Sequence, residues 1–247
     1  MKLSVLASGS TGNGYVLYND TTAIVLEAGV HIKELYKAYG YGVERIAACL
    51  VTHEHKDHCG FVGDYLKAGI PVYASAGTIE GMELPDTHNV HALEPLKAAR
   101  IGEWSVTPFP TQHDCKEPFG FVLSHPDCGN VLFATDTYFL KYRFTNLNNI
   151  MIECNYVPEK LDENVESGKL PFIVKRRTLK SHMSLPRCLA TLQEHDLRKV
   201  VNIVLVHMSA GNGDAEKMTE CIALGTGKRV FIAEAGLTID FNQDFCL

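Results

Sequence analysis

Apolar positions along the chain fall into short runs whose period changes from one segment to the next. Residues 3–7, 15–19 and 22–26 are apolar or alternating runs parted by Gly, Ser, Asn and Asp, the spacing of strands joined by turns. Residues 31–40 carry a helical period, and 48–52 is a continuous apolar run, read as a buried strand that ends at His53. The period is helical again over 60–68, with Phe61, Tyr65 and Leu66 on one side. Short strands are expected at 71–73 and 89–93.

A second strand-rich stretch covers 104–109, 120–124, 131–134 and 149–153. Helices are predicted at 158–167, 184–194 and 214–224, and 200–206 reads as an apolar strand. The last strands fall at 229–233 and 237–239. No internal repeat, low-complexity tract or linker interrupts the pattern. Two strand-rich halves, each with its own helices, predict an α/β (α+β) protein in which two sheets pack face to face with helices outside. The expectation is a single domain over 1–247 with a four-layer αββα sandwich.

Composition changes this picture little. The 247 residues are 46% hydrophobic and 21% charged, enough apolar material for a sizeable core. A formal net charge of -6 argues against a broad nucleic-acid-binding surface, which needs an excess of Lys and Arg. Eight cysteines (49, 59, 115, 128, 154, 188, 221 and 246) include no C-x-x-C pair and read as free thiols in a reducing compartment. The apolar start breaks at Ser8-Gly9-Ser10, too early for a signal segment, and no run approaches a membrane span. A cytoplasmic protein is expected.

The candidate chemistry lies where the 48–52 run ends. His53-Glu54-His55-Lys56-Asp57-His58 puts three imidazoles and a carboxylate into six residues, a donor set that suits Zn²⁺, Mn²⁺ or Fe. In an extended segment His53 and His55 point the same way, and Asp57 and His58 follow where the chain turns into a helix. They can then face a second ion beside the first, as two-metal hydrolysis requires. Further donors stand after other strands: His113, Asp136 and His207. Each alone reads as a loop residue; together they complete two coordination spheres with open positions.

With these motifs in place, the chain resembles the metallo-β-lactamase superfamily across its length. The resemblance implies His53, His55 and His113 on one metal, Asp57, His58 and His207 on a second, and Asp136 bridging them. It implies two divalent ions per chain, Zn²⁺ first and Mn²⁺ as the second candidate. One departure stands out. The family has Asp in an L-x-D-x-G-like turn after an early strand, where this chain has Leu26-Glu27-Ala28-Gly29. Glu27 would orient a ligand from behind it.

The opening Leu6-Ala7-Ser8-Gly9-Ser10-Thr11-Gly12-Asn13 is similar to the YycJ/WalJ-type and phage-associated branches. Ser181-His182-Met183-Ser184 and His207-Met208-Ser209 are similar to the histidine motifs of the phosphodiesterase branches, RNase Z-like enzymes included. Carried over, His182 binds the scissile phosphate or acts as general acid; the competing reading is that it only caps the helix beginning at Ser184. Lys175-Arg176-Arg177 and Lys180 lie just upstream. They form either a solvated face or, with Arg177 and Lys180 turned to the site, the positive potential a phosphate needs.

The function this implies is phosphodiester hydrolysis by a metal-activated hydroxide, with His182 assisting the leaving group and Asp57 orienting the nucleophile. Two substrates compete. The favoured expectation is a cyclic nucleotide such as cyclic CMP or cyclic UMP, by resemblance to phage anti-Pycsar enzymes, which degrade such defence signals and act as homodimers. That branch implies a small nucleotide partner, a homodimer with 138–144 and 155–170 as candidate interface segments, and a bacterial host cytoplasm. The alternative is a nucleic-acid end, as in WalJ-type 5′ exonucleases or RNase J, on single-stranded DNA or RNA. A thioester, lactone or β-lactam hydrolase would explain the metals but not His182 or the basic run, and a non-catalytic metal scaffold would not need open coordination positions.

Overall fold

The computed structural model describes residues 1–40, 42–85 and 88–243, so Cys246 lies outside the described residues. Chain order begins β1 (Lys2–Ala7), β2 (Gly14–Tyr18), β3 (Ala23–Leu26), α1 (Ile32–Tyr39) and β4 (Ile46–Leu50). The short helices α2 (Lys56–Cys59) and α3 (Val62–Lys67) follow, then β5 (Val72–Ala74), α4 (Ala76–Gly81) and β6 (Val90–Ala92). A run of strands comes next: β7 (Ala99–Ile101), β8 (Trp104–Pro110), β9 (Phe119–His125), β10 (Gly129–Ala134) and β11 (Leu147–Glu153). The chain ends with α5 (Pro158–Glu166), α6 (Phe172–Ser181), α7 (Leu185–Gln193), β12 (Asn202–Val206), α8 (Ala215–Thr226), β13 (Arg229–Ile232) and β14 (Thr238–Asp240).

Two seven-stranded sheets result, in the orders β14-β1-β2-β3-β4-β5-β6 and β13-β12-β11-β10-β9-β8-β7. Their facing sides share one core, to which Leu3, Tyr15, Leu26 and Leu50 come from the first sheet and Trp104, Phe121, Phe133 and Val206 from the second. The apolar strand β12 shows why its sequence does not alternate. Val204 and Val206 enter the core between the sheets, while Ile203 and Leu205 pack outward with Met183, Cys188 and Met218 around α7 and α8. Both faces are dry, so both must be apolar. On the other side, Leu35, Val62 and Tyr65 of α1 and α3 cover Val16, Val25 and Cys49. This is the αββα layering that the sequence pattern predicts.

The first sheet is not made from the first half alone. Strand β14 returns to pair antiparallel with β1, Leu3 opposite Ile239. Two buried asparagines hold the returning segment to the second sheet: Asn202 donates to Asn149 Oδ1 (2.8 Å) and to the Asp240 carbonyl, and Asn149 to the Phe241 carbonyl. The buried Nδ2 groups of both amides thereby find acceptors, which burial without partners would penalise.

Several local expectations need correction. Strand β4 ends at Leu50, two residues earlier than read, and an extended segment carries the chain to His55. Phe61 is exposed at the N-cap of α3 and meets the His31 ring, so the buried side of α3 is Val62 and Tyr65. Three elements are absent from the sequence reading: α4, β7 and α6. The last coincides with the basic run. Its apolar residues do not follow one helical stripe, because Phe172, Ile173, Val174 and Leu179 stay exposed and only Thr178 and Ser181 are buried. Periodicity therefore carried no core-facing signal.

One glycine fixes how close the β3 turn comes to the metal motif. A Cβ on Gly29 would overlap the Asp57 carbonyl and crowd the Asn13 backbone nitrogen, and neither backbone group can swing aside. Gly29→Ala is expected to destabilise the chain by about 1–3 kcal/mol, the usual range for overpacking, as read by urea denaturation. Its effect on bound-metal content should exceed that of an equally destabilising core substitution.

Candidate metal centre

Strands β10, β11 and β12 run parallel, as do β3 and β4, so their C-terminal ends gather along one edge of the sandwich. Chemistry-bearing residues follow each end: Glu27 after β3, His53 to His58 after β4, His113 after β8, Asp136 after β10, Glu153 closing β11 and His207 after β12. Glu27, Asp136 and His207 all have positive φ (68°, 46° and 54°). Such backbone is costly for residues other than glycine and persists only where surroundings enforce it, as at functional sites.

The donor atoms converge in two groups. His53 Nε2 lies 3.1 Å from His55 Nδ1, which lies 3.2 Å from His113 Nε2, and Asp136 Oδ2 stands 3.5 Å from His113 Nε2. In the second group, Asp57 Oδ2 is 3.3 Å from His58 Nε2 and 3.5 Å from His207 Nε2, with Asp136 Oδ1 3.3 Å from His58 Nε2. Ligands at ~2.0–2.1 Å around a tetrahedral zinc ion stand ~3.3–3.4 Å apart, so both groups have the spacing of coordination polyhedra. Asp136 offers one oxygen to each. His207 Nε2 is buried without a hydrogen-bond partner, an orphan that a metal ion would satisfy. The residues therefore fit a pair of divalent ions, as the donor chemistry of imidazole and carboxylate favours.

Residues behind the donors set their tautomers. Thr52 Oγ1 donates to Glu27 Oε1 at 2.6 Å, so it can only accept from His53 Nδ1, 2.9 Å away, which leaves His53 Nε2 as a free lone pair. Glu27 Oε1 also stands 3.3 Å from His58 Nδ1 as an ionic neighbour without a hydrogen bond. His113 Nδ1 donates to the Ser181 carbonyl at 3.0 Å, which leaves its Nε2 free as at His53. The N-terminal block reaches in too: the His207 backbone N–H donates to Ser8 Oγ, and Asn13 Nδ2 to the Asp57 carbonyl. Glu54, in the middle of the motif, faces away and accepts from the Lys116 N–H.

Glu153 is the residue that sequence reasoning passed over. It is fully buried, its Oε2 accepts from the Thr137 and Met183 N–H groups, and its Oε1 accepts from His182 Nδ1 at 2.7 Å. His207 Nδ1 lies 3.2 Å from the same oxygen. A signal existed: an ionisable residue ends the otherwise uncharged strand Leu147–Glu153. His182 thus comes beside the donor groups, its ring between those of His113 and His207 at 5.4 and 5.3 Å. Ser184, not His182, caps α7, its side chain accepting from the Arg187 N–H. Arg177 and Lys180 do not join the cluster. Arg177 pairs at 3.1 Å with Asp114, and Lys180 is exposed on α6.

The electrostatics are those of charges that compensate one another in a dry site. Burial would raise the Asp136 carboxyl, but His207 and His58 outweigh it and hold it well below the usual carboxylate range. Asp57 is held low against burial in the same way, by His207 and His58. Burial and the neighbouring His58 push His53 down. Burial acts downward on His207 as well, yet Asp136, Asp57 and Glu153 push it up to about 10. For His182, burial is outweighed by Glu153, and its pKa rises.

Fold and site together define a class. The chain matches the profile of the beta-lactamase superfamily domain over residues 24–208 and belongs to the metallo-β-lactamase superfamily. It is 29% identical to the exodeoxyribonuclease YycJ of Bacillus anthracis, over 87% of this chain and 85% of the relative. It is 28% identical to the exodeoxyribonuclease WalJ of Streptococcus pneumoniae, over 98% of this chain and 92% of the relative. The crystal structure of the metallo-β-lactamase fold protein YhfI from Bacillus subtilis superposes with a TM-score of 0.76 at 16% identity, covering 96% of this chain and 98% of that one. The chain is a metallo-β-lactamase-fold hydrolase. The names of these relatives fit the nucleic-acid alternative of the sequence reading and lend no support to its cyclic-nucleotide reading. Among the described residues, no helix is long and apolar enough to cross a membrane.

A pKa of about 10 keeps the free His207 imidazole protonated at neutral pH, and it must lose that proton to ligate a metal. Uptake of Zn²⁺ at pH 7.5 is therefore expected to release protons, at least about one per chain. Affinity should fall as pH falls, because protons compete for the same nitrogens. Titration calorimetry in buffers of different ionisation enthalpy reads the number released.

Proposed function

We propose that the chain is a metal-dependent phosphodiesterase that cleaves single-stranded nucleic acid, with two divalent ions, Zn²⁺ or Mn²⁺, as its cofactors. His53, His55 and His113 hold one ion in this reading, Asp57, His58 and His207 the other, and Asp136 bridges. The observation that carries it is His182 tied to buried Glu153 beside both donor groups, an arrangement that simple metal storage does not need. The resemblance to proteins named exodeoxyribonucleases supports the choice of substrate over a cyclic nucleotide. A homodimer formed through 138–144 and 155–170 belongs to the same proposal.

Bound ions would supply a water acidified toward neutral pH and positive charge against the phosphate. The chain's own groups do the rest. Asp57, held ionised, accepts a hydrogen bond from the attacking water and aligns it. Glu153 fixes the His182 ring through Nδ1 and raises its pKa, so the ring holds a proton for the leaving oxygen. Fully buried Glu153 cannot reach substrate itself; it positions His182 and, through the Thr137 N–H, the loop that presents Asp136. The half-buried His182 side chain is the part of this pair open to a substrate.

His182→Ala is expected to lower kcat on a phosphodiester by roughly 10²–10⁴, the usual worth of a general acid, with metal content unchanged. A lactamase-type reaction would scarcely register that substitution. A substrate panel tests the reading as a whole. The metal-loaded chain should digest single-stranded DNA or RNA, lose that activity in chelator, and leave cyclic CMP and cyclic UMP intact. Turnover of the cyclic nucleotides with no strand cleavage would reverse the choice.

A further inference from the structure

Helix α6 leaves in water what a soluble helix normally hides. Among the described residues eight large apolar side chains are exposed, and four of them (Phe172, Ile173, Val174 and Leu179) sit on these ten residues. Singly such exposure is ordinary; concentrated on one helix it marks a binding surface. The same ten residues carry Lys175, Arg176, Arg177 and Lys180 and no acid, in a chain whose net charge is -6. Lys175 is taken by Asp162 at 2.6 Å and Arg177 by Asp114 at 3.1 Å. Arg176 and Lys180 have no ion-pair partner among the described residues.

Ile173, Val174, Arg176, Arg177 and Lys180 line a groove of about 390 Å³, with an apolar floor and cationic walls. The helix that carries it is tied to the candidate centre at its C-terminal end. The last residue of α6, Ser181, accepts from His113 Nδ1 through its carbonyl, His182 caps the helix, and Asp114, the partner of Arg177, follows His113. The groove therefore lies on the helix whose end packs against the donor cluster.

We propose that the groove is the docking track for single-stranded nucleic acid next to the bond being cut, an unpaired base lying on Ile173 and Val174 while flanking phosphates meet Arg176 and Lys180. This rests on the nuclease reading of the site and extends it to the path of the strand. The apolar floor selects against a duplex, whose base faces are already stacked on one another. Charge selects against a second copy of the chain. A two-fold contact through α6 would set its cations against the same cations of the copy, whereas phosphates neutralise them.

The test uses the metal-loaded full chain, a 5′-phosphorylated single-stranded DNA 20-mer, its non-hydrolysable phosphorothioate form and bis(p-nitrophenyl) phosphate. Arg176→Glu and Ile173→Asp are each expected to weaken phosphorothioate binding, read by fluorescence anisotropy, about tenfold, with the KM for the 20-mer rising in parallel. Neither residue touches the donor cluster, so kcat on the small phosphodiester should stay within about twofold, and Arg176→Lys should restore strand affinity. Strand affinity and KM unchanged in both variants would overturn the proposal. So would unchanged affinity together with a fall in molar mass by light scattering, which would make α6 an interface between copies. Strand binding weakened by the variants without any strand cleavage would remove the nuclease reading and leave the groove. Cleavage that the variants do not touch would remove the groove and leave the reading.

Discussion

The site depends on the mutual compensation of buried opposite charges. Glu27, Asp57, Asp136 and Glu153 meet six imidazoles where the C-terminal ends of strands from both sheets converge, and Glu27, Asp136, Glu153 and His58 are nearly sealed from solvent. Any one of these groups alone in that environment would change protonation state to escape the cost of burial. Together they hold Asp57, Asp136 and Glu153 ionised and divide the imidazoles. His53 and His113 are pushed toward the neutral form, while His58 and His207 keep protons that a metal ion can replace. The metal-free cluster is thus already arranged as a cation site.

Holding that cluster constrains the surrounding backbone. Glu27, Asp136 and His207 all adopt left-handed backbone at strand ends. Each turn lets a strand end abruptly and aim its side chain across the edge instead of along the sheet. The bonds that enforce these turns come from far away in sequence. Ser8 accepts from the His207 N–H, the Thr52 N–H and hydroxyl bind Glu27, and the Thr137 N–H binds Glu153. The β3 turn, where the superfamily pattern has Asp, works here with the longer Glu27, which spans Thr52 and the His58 ring at once.

Helix α6 stands apart from this order. The charges of the site largely compensate one another, whereas α6 presents apolar side chains to water together with Arg176 and Lys180, which have no ion-pair partner among the described residues. In the proposed reading its chemistry points outward, to an anionic partner with apolar surfaces of its own. The sequence reading set the acidic net charge against a nucleic-acid surface and left this basic run open as a solvated face or a source of local positive potential. Ten residues without an acid can set the local field while contributing little to the total.

What the sequence determined by itself was local and periodic. Alternation and apolar runs mark strands because side chains on a strand alternate and a strand dry on both faces cannot alternate in polarity, as at Asn202–Val206. The six residues from His53 to His58 announce a metal motif because ligands contributed by one short segment need no tertiary contact to be recognised. Tertiary structure decided what lies between segments. It brought Glu153 under His182 across a gap of 29 residues, returned β14 to the first sheet, and set Arg177 on Asp114 instead of among the donors. It also made a helix of 172–181, whose exposed apolar residues leave no periodic trace of a core they do not join. Hydrogen bonds and ion pairs between distant residues depend on the path of the chain through space, and no spacing along it records them.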